Sequence, residues 1–334
     1  MNHYIATWFY REDAAEASYY PQAGGKGDSA LLHSIYMQIQ VPFFTTFARY
    51  NADARLLFFT NIDPAQLPPY LLRLFDKLDV RAVRLDYRHR PPEGWYKAWR
   101  NQFFLYDILD YMAGKMEPDD TLLISDADCI CRRTLHPLWD DMRTEGHGAA
   151  FYELSTDTSE NINGITLTDM TRLYTDCYGT APRQPLAYCG GEFVAFSGEV
   201  VARICSEYTQ LWQHNLRCFA DGRPKLNEEA HFLSLLAERL GVRNNVAGKY
   251  VKRMWTTPQY NNVQPGDEQL TVWHMPYEKK RGLYRLYRWM EHHPYFGEDH
   301  RFWKMAGRYC GIPHIGWGKR IYDRLHTLWV KMKG

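Results

Sequence analysis

An apolar run, Thr121-Leu122-Leu123-Ile124-Ser125, ends at Asp126 and Asp128, two carboxylates one residue apart. Residues 121–124 have the length and β-branched content of a central strand, and in open α/β sheets ligands bind at the carboxyl ends of such strands. In an extended segment, residues i and i+2 point to the same side, so both carboxylates face one divalent cation, or one cation and a bound diphosphate. Two like charges that close without a counter-ion would be costly. Lys97 and Arg100, in an aromatic stretch expected to run as a helix to about 112, are candidates for pairing with Asp126 or with phosphate. The alternative is that they are solvated helix charges.

Three further groups carry potential chemistry. Gly190-Gly191, followed by Glu192, interrupts an apolar strand over 186–198 and signals either a bulge or a close approach of backbone to a ligand. Asn227 is placed to cap a helix that opens with Glu228 and Glu229; the helix macrodipole alone also favours acid there. His274 follows a short strand over 270–273 and precedes Glu278-Lys279-Lys280-Arg281, which suits a metal ligand or phosphate neighbour as well as a core histidine. The long polar segment 154–185 has little periodicity and is read as a loop facing an acceptor.

Strands expected at 3–10, 55–60 and 80–85 alternate with helices at 29–40 and 64–78, which argues a parallel, doubly wound sheet. A strand at 149–153 and a helix at 199–216 follow. The Gly-rich segment 23–28 matches neither the dinucleotide fingerprint nor the Lys-Ser/Thr phosphate loop. With 334 residues and 45% hydrophobic composition, the chain can bury one large α/β domain, alone or with an appendage. The net charge of +1 conceals an asymmetry: residues 279–334 hold 13 Lys or Arg against 4 Asp or Glu, leaving about −8 on the rest.

Seven irregularly spaced Cys and an N-terminus that enters strand-like sequence without a signal-peptide pattern favour a reducing cytosol and a cytoplasmic location. Cys129 and Cys131 are read as small buried hydrophobes rather than thiolate ligands. No stretch reaches the roughly 18 apolar residues that span a bilayer. Residues 319–333 set Ile321, Leu325, Leu328, Trp329 and Met332 at spacings of three and four among Lys319, Arg320, Arg324, Lys331 and Lys333. Such a basic amphipathic helix docks either on the protein's own core or on an anionic membrane. No recognised nucleic-acid module accompanies the basic residues, so nucleic acid is excluded as a partner.

Taken in order, an apolar strand ending in Asp126-x-Asp128, Gly190-Gly191-x-Phe193, an acidic pair opening a helix and a late His274 with basic residues resemble the GT-A fold glycosyltransferases over about residues 1–281. The order of Gly-Gly strand, helix and Glu228-Glu229-Ala230-His231 is most similar to the retaining blood-group-type galactosyl and N-acetylgalactosaminyl transferases. The resemblance implies a Rossmann-like α/β fold, with a mixed, mostly parallel sheet flanked by helices and a basic helical C-terminal extension. It divides the chain into a catalytic domain at 1–275, with a nucleotide-sugar half to about 135 and an acceptor half from 136, and an extension at 276–334. It further implies a sugar-nucleotide donor, usually UDP-linked, and Mn²⁺ or Mg²⁺ at Asp126 and Asp128. Asp128 would be the more direct ligand, Asp126 would contact ribose or metal, and His274 would add a ligand. Lys97, Arg100, Gly190, Gly191, Lys279, Lys280 and Arg281 are the donor-binding candidates. Glu229 matches the essential carboxylate, as base or as stabiliser of the oxocarbenium-like centre, with Glu192 and Glu228 as further candidates.

The expected acceptor is a glycan or a lipid-linked sugar in cell-surface polysaccharide or lipopolysaccharide assembly, met at the cytoplasmic face of a membrane. Retaining and inverting outcomes both stay open. Two other readings compete: a haloacid-dehalogenase-like phosphatase using Asp126 and Asp128, although that motif normally opens its domain, and a sugar-nucleotide-binding protein without turnover.

Overall fold

The computed structural model describes residues 1–13, 19–20, 25–98, 100–257, 259–293 and 299–333, with backbone alone for 19–20, 25–26 and 326–333. Ala23, Gly24 and Trp99, and the side chains of Leu328, Trp329, Lys331, Met332 and Lys333, lie outside that description.

Among the described residues the largest sheet has six strands in the order β5-β4-β1-β6-β11-β8. These are β1 (His3–Phe9), β4 (Ala54–Thr60), β5 (Val80–Arg84), β6 (Thr121–Ser125), β8 (Ala149–Ala150) and β11 (Phe193–Ser197); β2 (Tyr19–Tyr20) and β3 (Gly25–Lys26) form a separate antiparallel pair. Strands β5, β4, β1 and β6 run parallel, and β11 is antiparallel to both β6 and β8. The sheet is therefore mixed and mostly parallel. Helices α1 (Ala30–Tyr50) and α2 (Pro69–Leu78) connect β1 to β4 and β4 to β5, whereas α3 (Phe104–Ala113) returns the chain to the other side of β1. The strand order reverses between β1 and β6, and a crevice opens at their C-terminal ends.

Alternation along the strands separates two cores. Tyr4, Ala6, Leu57, Phe59, Leu122 and Ile124 face one side, packed with α3, α6 (Gly198–Ala220) and α7 (Glu229–Leu240). Ile5, Phe9, Leu56, Phe58 and Leu123 face the other, with α1, α2 and α4 (His136–Thr144). A second sheet, β12 (Val251–Arg253), β13 (Val272–His274) and β7 (Cys129–Cys131), grows from the turn after β6. On it packs a third core that includes Ile39, Ile130, Trp273 and Met275 with Leu283, Leu286, Phe302 and Trp303. The last four belong to α8 (Gly282–His292) and α9 (Asp299–Cys310), so residues on both sides of position 275 share one interior.

Several elements differ from expectation. Helix α1, capped by Ser29, runs ten residues past position 40 with Pro42 inside it. The segment 154–185 holds β9 (Glu153–Ser155) and a full helix, α5 (Leu167–Tyr178), whose capping box pairs Thr166 with Asp169. The Gly-Gly strand is two strands in two sheets: β10 (Tyr188–Cys189) pairs with β9, and β11 joins the main sheet. Lys97 precedes any helix, because only a single tight turn at Arg100–Phe103 leads into α3. Helix α10 (Trp317–Lys333) buries Lys319 and Asp323 while Trp317, Ile321 and Leu325 stay exposed.

Candidate active site

A cleft of about 500 Å³ opens at the carboxyl edge of β6 and is walled by the turn after β13, the Gly-Gly turn, the start of α7 and the segment after β9. A smaller cavity of about 50 Å³ adjoins it at the end of β1, between Trp8, Phe9, Tyr10 and Gly27. The two share Tyr36, Gln102, Asp126 and Lys279.

The acidic pair sits in a turn rather than in extended chain, since β6 stops at Ser125 and β7 starts at Cys129. The backbone pins this turn: Asp126 N–H donates to the Glu192 carbonyl at 2.9 Å, and Met275 N–H donates to the Asp128 carbonyl at 3.0 Å. Asp126 faces the cleft, its side chain 37% exposed, while Asp128 lies fully buried beneath it. Lys279 Nζ contacts Asp128 Oδ2 directly. His274 Nε2 stands 3.4 Å from Asp128 Oδ1 and 3.9 Å from Asp126 Oδ2.

The two carboxylates shift in opposite directions. Burial and the Asp128 charge raise Asp126 to about 6. Burial would raise Asp128 as well, but Lys279 and His274 outweigh it and hold that group far below the usual carboxylate range. Asp128 Oδ1 and both His274 ring nitrogens are buried with no hydrogen-bond partner. Two carboxylates and an imidazole thus converge with unused lone pairs, which fits a hard divalent cation. Cys129 also lies within ligand reach of Asp128 and His274. Burial pushes its thiol well above the ordinary value, which favours the oxygen and nitrogen donors of Asp126, Asp128 and His274.

The opposite wall holds the second acidic pair. Glu228 occupies the N-cap of α7 but makes no capping hydrogen bond. Its carboxylate instead accepts from Tyr188 Oη at 2.7 Å and Asn163 Nδ2 at 2.5 Å. Asn227, the expected cap, accepts from Lys225 Nζ and donates to the Asn163 carbonyl. Burial raises Glu228 to about 7 despite those bonds, and burial together with the Glu228 charge raises Glu229 well above the ordinary carboxylate value. Glu229 Oε2 is buried without a hydrogen-bond partner in the cleft wall. A Cβ at Gly191 would collide with Glu229 Oε1, so that glycine makes room for the carboxylate; one at Gly190 would collide with Glu192. His231 accepts from Asn227 N–H through Nδ1 and donates from Nε2 to the Ile162 carbonyl, and burial lowers its pKa to about 3. It is a neutral brace, not a proton carrier near neutrality.

Of the residues singled out from sequence, Asp126, Gly191, Glu192, Glu228, Glu229, His274 and Lys279 line the cleft, with Asp128 directly below. Lys97, Arg100, Lys280 and Arg281 do not line it. Lys97 is exposed beside the Tyr96 ring, and Arg100 is held by the Pro91 carbonyl at 2.9 Å. Arg281 is buried against Tyr277 and Asp323. Sequence reasoning missed Arg253, which pairs with Glu192 at 2.5 and 2.7 Å, and missed Tyr36, Gln102, Tyr152, Trp255 and Asn262. For Arg253 the only signal was a basic residue closing a three-residue strand just before Trp255. A second cluster, His3, Asp53 and His136, could also hold a cation; it lies at the opposite end of β1.

No protein-family model matches the chain, and no match is found among curated proteins. Solved structures do match. The bifunctional glycosyltransferase WbbM in its apo form superposes with a TM-score of 0.52 at 9% identity, over 82% of this chain and 45% of that one. Mouse xyloside xylosyltransferase 1 gives 0.48 at 11% identity, over 82% and 97%. The galactosyltransferase LgtC, in complex with donor and acceptor sugar analogues, gives 0.46 at 14% identity, over 93% and 97%. At these identities the likeness defines the fold alone: the chain has the GT-A fold, with a central, mostly parallel sheet flanked by helices.

Proposed function

We propose that the protein is a glycosyltransferase that moves a sugar from a nucleotide-sugar donor, UDP-linked in our reading, to a glycan or lipid-linked acceptor. The observation that carries this reading is one cleft in which an acidic turn, with His274 and Lys279, faces a second, buried acidic pair. In this reading the nucleoside lies at the end of the cleft towards Trp8 and Tyr10, the diphosphate over Asp126, His274 and Lys279, and the sugar towards Gly191 and Glu229. The segment from Leu154 to Asn163 lines the remaining side, towards the acceptor.

Asp126, Asp128 and His274 would hold Mn²⁺ or Mg²⁺, whose charge would help neutralise the leaving diphosphate. Lys279 Nζ offers the leaving oxygens a fixed cation in a partly dehydrated site. Arg253 occupies Glu192 Oε1, so Glu192 serves to place Arg253, and Glu229 Oε2 is the better candidate for accepting a proton or steadying the sugar centre. Against the phosphatase reading, whose acidic motif normally opens its domain, β1, β4 and β5 precede β6 here. Thermal-shift titration with nucleotide sugars should show a UDP-sugar raising the melting temperature more with Mn²⁺ than without. No shift across the panel would sink the proposal.

No helix among the described residues is long and apolar enough to cross a membrane. The exposed Trp317, Ile321 and Leu325 of α10, beside Arg320 and Arg324, support a peripheral contact with an anionic bilayer at its cytoplasmic face. Flotation with phosphatidylglycerol liposomes should be lost in Trp317→Ser/Ile321→Ser; equal flotation counts against the contact.

A further inference from the structure

We propose that α10 positions Lys279 in the cleft through Lys319 and Glu278, which makes Lys319 a positioning residue for the donor diphosphate. The inference rests on the donor reading above. Glu278, the immediate neighbour of Lys279, is fully buried. Its Oε1 contacts Thr256 Oγ1 and accepts from Lys319 Nζ at 2.8 Å, and its Oε2 accepts from Gly282 N–H at 2.9 Å and Lys319 Nζ at 3.0 Å. One carboxylate thus ties together the chain after β12, the start of α8 and the distant α10.

Lys319 also reaches Asp323 at 2.8 Å, and Asp323 stands 3.8 Å from Arg281, on the far side of Lys279 in sequence. These four charged side chains, two of each sign, are each at most 7% exposed. Burying such a network costs desolvation that well-packed apolar side chains would avoid, so its contribution is to location rather than to stability. What it locates is the turn whose other contacts are Glu278 N–H on the Met275 carbonyl and Met275 N–H on the Asp128 carbonyl, both 3.0 Å. Lys279 projects from that turn onto Asp128. The exposed face of α10 and the cationic edge of the cleft are therefore two ends of one connected element.

The test compares Lys319→Met with wild type by hydrogen exchange and by calorimetric binding of UDP and of uridine, with Lys319→Arg as the conservative variant. Uridine lacks the diphosphate whose charge Lys279 would meet, so its affinity should fall far less than that of UDP. Expected are faster exchange over 274–282 with strands 3–9 and 121–125 unchanged, a roughly tenfold loss in UDP affinity of the size of one charge-assisted hydrogen bond, uridine affinity within about twofold, and recovery in Lys319→Arg. Unchanged exchange over 274–282, or equal loss of UDP and uridine affinity, overturns the proposal. If wild type binds no UDP, the donor reading fails, while the exchange arm still decides whether α10 holds the turn. Should Lys319→Met not fold, Lys319→Met/Glu278→Gln removes the charge pair together and is read in the same way.

Discussion

Gly191 leaves room for Glu229, since a Cβ at position 191 would lie 2.4 Å from Glu229 Oε1. Gly191 has no positive φ, so alanine there adds a Cβ without backbone strain. Gly191→Ala should therefore lower turnover by at least about tenfold, as misplacing a reacting group does, with UDP affinity within about twofold by calorimetry. Parallel loss of affinity would assign Gly191 to the donor rather than to Glu229. Asp126, Asp128 and His274 were legible in sequence as cleft residues because each comes at or just after the end of a short apolar strand, whereas Glu228 and Glu229 had only their place at a helix start. Arg253 and Asn163 were not legible, because each gains its meaning from a partner far along the chain: Glu192 for one, Glu228 for the other. Lys97 and Arg100 misled for the opposite reason, since helical spacing was assumed where the chain makes one tight turn.

Helix α7 sets two electrostatic effects against each other at its start. A helix N-terminus favours ionised Glu228 by about 0.3–1 kcal/mol. Burial raises its pKa from 4.5 to about 7, which corresponds to roughly 3 kcal/mol, so burial wins. Because the folded pKa lies above the unfolded one, the protonated form stabilises the fold below about pH 4.5, and this contribution is lost as pH rises to about 7. The melting temperature of Glu228→Gln minus that of wild type should therefore increase from pH 4.5 to 7 and level off above it. A constant difference would contradict the burial argument. Other elements show where sequence rules were overruled. Pro42 costs a helix about 3 kcal/mol, yet Phe43, Phe44 and Phe47 beyond it are each fully buried at roughly 1.5–3 kcal/mol apiece, and α1 continues. Helix α5 had a readable start at Thr166-x-x-Asp169, overlooked because the surrounding segment is polar. The split of β10 from β11 could not be read, since both halves are apolar and only the sheet partners differ.

Across the molecule, the strand alternation before Asp126 was enough to indicate a doubly wound sheet. The reversal between β1 and β6 then explains why ligand-sized space lies at their C-terminal ends. The C-terminal extension is legible as basic and helical, and 319–333 as amphipathic, but the core that α8 and α9 share with β7 and β13 depends on long-range packing of Trp273, Phe302 and Trp303, which no local pattern encodes. Separately, Lys319 of α10 meets Glu278, the neighbour of Lys279, at 2.8 Å, while Lys279 itself contacts Asp128. The decisive measurement is UDP release from UDP-sugars with Mn²⁺ by wild type and Asp128→Asn, with His136→Ala controlling for cation bound at the distant histidine cluster. Wild type and His136→Ala should turn over at the same rate, and Asp128→Asn should fall by at least about two orders of magnitude, as when a preorganised charge partner is removed. Equal release by Asp128→Asn, or a trapped aspartyl phosphate on Asp126, would contradict a donor site built on this turn.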